Sequence, residues 1–592
     1  MPISRVTNPV PLVGIKVNYF LDRIDHFTNY AGWQWKLEFE SPTSLLEKIL
    51  FRLRVDTKYR LEYLDNYFAN DFFTTEIYWN DYETYPKVKE IVTKYNSLGK
   101  SPEGKKEKIK LIDSLLFQNN LSTLLRDLHH KMPKDVMEGV IHQCLCDHSL
   151  YEFVTGTTIN HADFFKDAAQ KMASEYIFRG FSRNEISEII GKVFSKDMAD
   201  FPFPVNAKTK KQKKEYLEKG TLENQLSGFT HAFNLPKSEG RIIIKVFGGT
   251  FPDDFHFQYD KVIFLGKEHP HIRKIKEGLT NDQCNSFFNE EEFILALVPV
   301  SWYSQESLLR KAKQLVRKEL SYMSLVLEKE FSVDNTNNFV GVNKKMQARG
   351  LAWSTKKFSQ PISQITLEKL NDNPYYVLKK IKSDAATWFL ACESIYVTAN
   401  KTESIADYWL YLETLLSYNR VEKNIKDTVS SILLINEKFI QDRRILSTIN
   451  NSFMPLTRGY SMLNLTNERR RKIFSDISKR KIAKEFRDVN YPFIEELIKE
   501  FDEGVSPAQY HKAKKYYSRM LIEAYEFRNF TIHKGVENIP AKEKLLATLP
   551  NLVTRMRWAL LDSLKNENLN TPFDLLVGQL KEKGEAFLKQ ND

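Results

Sequence analysis

The sequence predicts a multidomain α+β protein that is mainly helical and ends in an all-helical bundle. A chain of 592 residues is too long for a single hydrophobic core. Apolar residues recur at helical spacing along most of it, whereas alternating patterns typical of strands cluster near the N-terminus and in the middle. We therefore predict a mostly helical N-terminal region with short leading strands (1–205), a small α/β domain (206–350) and a helical C-terminal domain (351–592).

Composition narrows the class of protein. A hydrophobic content of 42% with 13% aromatic residues is too high for a disordered chain. Four cysteines are too few for a disulfide framework, the N-terminus lacks a signal sequence, and no apolar run reaches the ~20 residues of a membrane span. We expect a cytoplasmic protein without membrane contact. The net charge of +11 suits a polyanion such as RNA, although excess lysine also serves solubility.

The N-terminal region begins with strand-like residues, so we interpret 1–40 as strands. Trp33, Trp35, Leu37 and Phe39 alternate with polar residues, which is the period of a half-buried strand. Ser41-Pro42 then predicts the start of a helix, because serine caps helices and proline suits the first turn. From there to about residue 200 the spacing indicates helices with short breaks.

Two motifs in this region imitate ligand sites. Gly99–Lys106 resembles a phosphate loop, but Lys106 replaces the Ser/Thr that would bind magnesium and no strand precedes it. His142, Cys144, Cys146 and His148 could bind zinc on a strand, yet helical spacing from Pro133 favours a buried helix with ordinary cysteines. We predict no metal site and no cofactor.

The middle domain combines three strand-like stretches, 241–247, 255–259 and 293–298, with a long helix after Ser304. That helix should carry basic side chains on its outer face, either as a solvated surface or as a nucleic-acid groove: Arg310, Lys311, Lys313, Arg317 and Lys318. A lysine-rich stretch, 208–214, precedes the domain and is typical of an exposed connector or a basic helix face.

The C-terminal domain shows only helical patterns, at 376–399, 403–418, 426–450, 466–489, 506–533 and 541–567. Its central helix has readable ends, because Ser506-Pro507 suits the start and Gly535 is a natural left-handed stop. Residues at steps of three and four share one face of this helix, which should point inward: Tyr517, Leu521, Ala524, Arg528 and Ile532.

Arg528 on an apolar face is unusual, because a charged guanidinium is costly to bury without a partner. His533 follows about one and a half turns later, near the helix end. A structural interpretation is open, in which the arginine reaches solvent from the edge of the core and the histidine caps the helix. A catalytic interpretation is also open, because arginine matches phosphate with a planar fork and histidine can transfer protons near neutral pH.

Arg528-Asn529-Phe530-Thr531-Ile532-His533 resembles the Arg-x4–6-His signature of the HEPN superfamily, and Asp407–Leu416 looks like the LE-x-LL helix of its ApeA-like branch. The resemblance implies a metal-independent ribonuclease, often of anti-phage or toxin systems, in which two copies form one composite site. It further implies that Arg528 and His533 are catalytic and that Asn529 binds the phosphate or orients His533. We hypothesise that Glu413, on the apolar edge of the upstream helix, pairs with Arg528.

The expected partners follow from the same resemblance. They are an RNA substrate such as tRNA, a second copy of the chain, and a phage-derived trigger or regulator. The first 350 residues would either sense this trigger or restrain the C-terminal dimer. The most basic segment of the C-terminal domain is our candidate for binding the phosphate backbone of the RNA: Arg469, Arg470, Arg471, Lys472 and Arg480. Two alternatives stay open, a non-catalytic HEPN module that binds RNA, nucleotide or a protein, and a helical scaffold in which Arg528 is structural.

Overall fold

A computed structural model of the chain describes eleven main stretches, with short gaps inside some of them and isolated positions between them. They are residues 11–28, 42–54, 60–72, 82–179, 203–219, 238–280, 293–352, 383–449, 492–534, 542–566 and 571–589. The chain divides into two compact units. The helical unit comprises residues 1–179, 183–234 and 377–592, and the sheet unit comprises residues 180–182 and 235–376.

The N-terminal part of the helical unit contains eight described helices and one hairpin. The helix Lys210–Lys219 agrees with one of the two interpretations of the lysine-rich stretch, a basic helix face. The helices are α1 (Pro11–Thr28), α2 (Pro42–Arg54), α3 (Arg60–Asn66, continued by a π-helical turn at Tyr67–Asp71), α4 (Tyr85–Ser97), α5 (Pro102–Ile112), α6 (Leu115–Leu145), α7 (Ala162–Phe178) and α8 (Lys210–Lys219), with the hairpin β1 (Tyr151–Val154) and β2 (Thr157–Asn160) between α6 and α7.

The prediction of strands over 1–40 is wrong for the part of that range that the structure describes. Residues Pro11–Thr28 form α1. Val13, Val17 and Leu21 recur at four-residue steps and are buried, so helical periodicity outweighs the strand-like composition here. The alternating stretch 33–39 lies outside the described residues. The hairpin β1–β2 lies in a region that was predicted to form helices with short breaks, and no strands were expected there.

The sheet unit contains an antiparallel sheet with helices on both faces. Six strands follow the order β4-β5-β6-β3-β8-β9, and a short seventh, β7, also pairs with β3. The three predicted strand stretches are confirmed. The elements are β3 (Ser238–Phe247), β4 (His256–Tyr259), β5 (Val262–Leu265), α9 (Pro270–Lys276), β6 (Ile294–Trp302), α10 (Gln305–Leu327), β7 (Ser332–Val333), β8 (Phe339–Val342) and β9 (Ala348–Ala352).

Strand β3 shows how the alternating pattern builds this unit. Ile242 and Ile244 pack towards the apolar face of α10, whereas Ile243 packs on the opposite face against α9. Lys313 of α10 was expected on the outer, basic face but is only 6% exposed. A lysine can be buried when its long aliphatic stem packs against apolar surface.

The C-terminal part of the helical unit is all helical in the described residues, as predicted. The described positions between 437 and 449 are also helical. The predicted helix at 466–489 lies outside the described residues, and two helices, α14 and α17, were not predicted. The helices are α11 (Asp384–Thr402), α12 (Ile405–Leu416), α13 (Ile425–Leu433, followed by a 3-10 turn at Leu434–Asn436), α14 (Pro492–Glu503), α15 (Pro507–Lys534), α16 (Lys542–Asn566) and α17 (Phe573–Ala586).

The N-terminal helices pack directly on the C-terminal ones. Arg23 of α1 forms an ion pair with Glu496 of α14, and its guanidinium lies 4.9 Å from the centre of the Phe493 ring. Glu496 also accepts hydrogen bonds from Tyr19, at 2.6 Å, and from Tyr151 of the hairpin. A carboxylate with several donors is well satisfied at a partly buried position. Residues 1–179 and 377–592 therefore share contacts within one compact unit.

No helix in the described ranges combines the length and the apolar character needed to cross a membrane.

Asp427 of α13 forms ion pairs with two lysines from other helices. The nitrogen–oxygen distance is 2.9 Å to Lys514 of α15 and 2.7 Å to Lys581 of α17. Their hydrogen bonds, that of Lys581 first, keep the pKa of the Asp427 carboxyl below its ordinary value. This carboxylate therefore ties three helices of the bundle together.

Protonating Asp427 is expected to weaken the bundle in acid. The unfolded chain takes up this proton near pH 4, whereas the folded chain takes it up at lower pH, so the contribution is complete above about pH 4 and is lost as pH falls further. Asp427→Asn should lower the free energy of unfolding by about 1 kcal/mol at pH 7 and by less below pH 3. Chemical denaturation across this pH range measures the difference, and an equal loss at both pH values would contradict it.

Candidate ribonuclease site

Helix α15 begins where the sequence predicts. The amide of Gln509 donates to Ser506 Oγ at 3.3 Å, and the amide of Ser506 donates to Gln509 Oε1 at 2.8 Å. This reciprocal pair is a capping box, which satisfies amides that the first turn of a helix leaves unpaired. The helix runs through Lys534, so that His533 belongs to its last turn. The predicted stop, Gly535, lies outside the described residues.

The inward face of α15 is confirmed in its first part and wrong at its end. Tyr517, Leu521 and Ala524 are fully buried, but Ile532 is 56% exposed. Near its end, the helix buries Phe530 on another side, against Phe51 of α2, with ring centres 5.6 Å apart. The buried face of α15 therefore changes near its end, because α2, which is distant in sequence, packs there.

Arg528 lies at the edge of the buried face and has two polar neighbours. Its Nη1 donates a hydrogen bond to Asn529 Oδ1 at 3.0 Å, and its Nη2 lies 3.5 Å from Glu413 Oε2. The side chains of Arg528 and Glu413 are 25% and 30% exposed, so the pair is accessible to solvent. A guanidinium has five N–H groups, and these contacts leave donors for a phosphate.

The contact between Glu413 and Arg528 confirms the pairing hypothesised from the sequence. Its distance is that of an ion pair rather than of a short hydrogen bond, and pairs of this exposure contribute only a fraction of a kcal/mol to about 1 kcal/mol. Asn529 makes a contact that was not predicted: its side-chain carbonyl oxygen accepts the hydrogen bond from Arg528. Its amide NH2 group is then directed by that hydrogen bond, and an oriented amide is a suitable donor to phosphate.

Helix α12 brings Glu413 to this position. Ser404 caps the helix, accepting from the amide of Asp407 at 3.3 Å. The indole of Trp409 packs on Tyr525 of α15, with ring centres 5.3 Å apart. Since Trp409 meets Tyr525 and Glu413 meets Arg528, the two helices run in the same direction along this contact.

Two buried ion pairs support these helices, and neither was predicted from the sequence. Arg557 of α16 pairs with Glu393 of α11, which also accepts from Tyr411 of α12 at 3.0 Å. Glu437 is fully buried and accepts from Tyr517 of α15 at 2.6 Å and from Arg555 of α16 at 2.8 Å. Charged residues inside otherwise apolar helical stretches are the signal that could have revealed such pairs.

The five basic residues predicted to bind the RNA backbone lie outside the described residues: Arg469, Arg470, Arg471, Lys472 and Arg480. Among the positions that the structure describes, no group of three or more His, Cys, Asp or Glu side chains is arranged to hold a metal ion.

The two motifs that resemble ligand sites, Gly99–Lys106 and the His/Cys stretch at 142–148, contain residues with structural roles. Ser101 caps α5 by accepting from the amide of Gly104 at 3.1 Å. Cys144 is buried in α6, as predicted for an ordinary helical cysteine, and burial raises the pKa of its thiol to about 12.

The chain was also compared with known proteins. Neither the protein-family models, nor the curated proteins, nor the solved structures contain a match to it. The features of this chain that bear on its function are therefore its own residues, above all Arg528, Asn529, Glu413 and the position of His533 in the same helix.

Proposed function

We propose that this chain is a metal-independent endoribonuclease of bacterial anti-phage defence, with a composite cleavage site formed by two copies. The observation that carries the proposal is the accessible Arg528, held by Asn529 and Glu413 in the helix whose last turn contains His533. An arginine with donors left for phosphate and a histidine five residues on supply the two kinds of group that RNA cleavage requires.

The reaction uses the nucleophile that RNA already carries. The 2′-hydroxyl attacks the adjacent phosphorus, a base removes its proton, and an acid protonates the departing 5′-oxygen. Histidine suits both proton transfers, because its ordinary pKa lies near neutral pH. Arg528 would stabilise the charge that develops on the phosphorane, and Asn529 would donate a further hydrogen bond. The products are a 2′,3′-cyclic phosphate and a 5′-hydroxyl.

The composite site is supported by exposed apolar side chains near Arg528. Leu410 lies three residues before Glu413 and is 46% exposed, and Ile532 lies four residues after Arg528 and is 56% exposed. Large apolar side chains flanking a polar pair are typical of a surface that another protein covers. In our proposal a second copy covers this surface, so that each copy contributes one Arg528 and one His533 to a shared cleft.

Incubation of the full-length protein with total tRNA in the presence of a chelator tests the proposed function. We expect cleavage without added metal, and fragments that end in a 2′,3′-cyclic phosphate, which polynucleotide kinase with its phosphatase activity removes. Binding of tRNA without cleavage would instead support the non-catalytic module. Cleavage that requires magnesium would contradict the proposed mechanism.

Glu413→Gln is expected to reduce cleavage about 5-fold, because the neutral amide holds Arg528 more weakly by about 1 kcal/mol. Arg528→Lys should then cause a smaller further loss in this background than in the wild type, since the two residues act as a pair. Glu503→Gln is a matched control. It removes a carboxylate of α14 that is paired with Lys499 at 3.8 Å and is 65% exposed. Equal activity of the Glu413→Gln variant and the wild type would contradict a role for this pair.

A further inference from the structure

Helix α2 lies against the part of α15 around Arg528, through contacts with Glu523, Glu526 and Phe530. Lys48 Nζ of α2 is 2.5 Å from Glu523 Oε1, and Arg52 of α2 pairs with Glu526. All four side chains are at most 9% exposed. Buried charges are costly unless they are paired, so these contacts hold α2 in one position on α15.

Arg52 contacts one residue of α15 before Arg528 and one after it. Its guanidinium pairs with Glu526, two residues before Arg528, and lies 5.3 Å from the ring centre of Phe530, two residues after it. The neighbouring Phe51 packs edge-on against the same ring. Arg52 therefore contacts residues on the turn of α15 that carries Arg528. The next turn of the helix carries His533.

This end of α15 needs support from outside the helix. The last four carbonyl groups of a helix lack intrahelical partners, and terminal turns open more readily than central ones. Ile532 is exposed, so the apolar face predicted for this turn does not anchor it. The contacts of α2 with Glu526 and Phe530 supply an anchor within two turns of the helix end.

We propose that Arg52 is a positioning residue for Arg528 and His533, so that α2 is an integral part of the candidate cleavage site. The part of the inference that concerns cleavage rests on the proposed function. The part that concerns order at the end of α15 does not, because it can be measured without RNA.

A second arginine provides a matched control. Arg23 of α1 has surroundings similar to those of Arg52, because it pairs with a carboxylate of a C-terminal helix, Glu496, and lies over a phenylalanine ring of that helix, Phe493. Both arginines join an N-terminal helix to the C-terminal helices, but Arg23 contacts α14 rather than α15. Comparing the two separates a local effect on α15 from general destabilisation.

The experiment compares full-length Arg52→Gln and Arg23→Gln variants by hydrogen–deuterium exchange, tRNA affinity and single-turnover cleavage. For Arg52→Gln we expect exchange of the amides at 527–534 to rise about 10-fold or more and the cleavage rate to fall about 10-fold, with tRNA affinity changed less than about 2-fold. For Arg23→Gln we expect faster exchange in α14 only. Arg52→Lys keeps the charge and should recover part of the cleavage rate, which also guards against loss of folding in Arg52→Gln.

Two results would overturn the inference. One is unchanged exchange at 527–534 in both Arg52 variants, and the other is an equal rise in Arg23→Gln. Absence of cleavage by the wild-type protein would remove the proposed function alone, because the exchange measurements would still decide whether Arg52 orders the end of α15.

Discussion

Replacing His533 by alanine is expected to lower the rate of RNA cleavage by about 10²–10⁴-fold, the usual contribution of a positioned acid or base. Alanine favours helix, so the last turn of α15 keeps its conformation and the affinity for tRNA should change little. Single-turnover cleavage of tRNA in chelator, together with a binding isotherm, measures the two quantities separately. A parallel loss of affinity and rate would instead indicate a contact residue.

Arg528 variants test the other half of the motif. Arg528→Ala should reduce cleavage by about 10²-fold or more, because a donor at the developing phosphorane charge commonly contributes a few kcal/mol. Arg528→Lys retains the charge but loses the planar fork, and it should recover only part of this loss. If Arg528 were only structural, both variants would lower the thermal midpoint, whereas the fraction that remains folded would cleave at the wild-type rate.

Breaking the buried pair between Arg557 and Glu393 is expected to cost about 3–5 kcal/mol of unfolding free energy, because one charge stays buried without its partner. The side chains are 7% and 12% exposed, and the guanidinium also lies 3.4 Å from the centre of the Tyr396 ring. Arg557→Met therefore removes an ion pair and a stacking contact. Chemical denaturation followed by circular dichroism measures the loss.

Two controls distinguish desolvation from packing in this result. The double variant Arg557→Met with Glu393→Leu removes both charges, so it should recover at least half of the loss, although Tyr411 then loses its acceptor. Lys110→Met breaks an exposed pair with Glu107 and should cost less than about 0.5 kcal/mol. A double variant that is less stable than Arg557→Met would contradict the desolvation argument.

Much of the fold could be predicted because its signals are local. Ser506 and Gln509 define the start of α15 through a spacing of three residues, and alternating apolar residues define β3. The same local reasoning failed at α1, where strand-forming residue types occur at helical spacing. There the burial of a single helical face outweighed the intrinsic preferences of individual residues, which differ by less than about 1 kcal/mol.

The candidate site could be predicted only in part. Arg528 and His533 are five residues apart on one helix, so their relation is a property of the chain itself. The contact with Glu413 was a hypothesis from the pattern of α12, and the structure adds its distance of 3.5 Å. The support of Arg528 by Asn529 was not foreseen, because it depends on the side-chain conformation of two neighbours.

By itself, the sequence determined the three strand stretches of the sheet unit, the start of α15, and that an arginine and a histidine share the end of one helix. Only the tertiary structure decided that α2 packs on that end, that Lys48 and Arg52 meet Glu523 and Glu526, and that Ile532 stays exposed. The physical reason is separation along the chain. Helical spacing relates residues within one turn, whereas 87 basic and 76 acidic residues allow very many long-range ion pairs, among which only the packing of apolar faces selects.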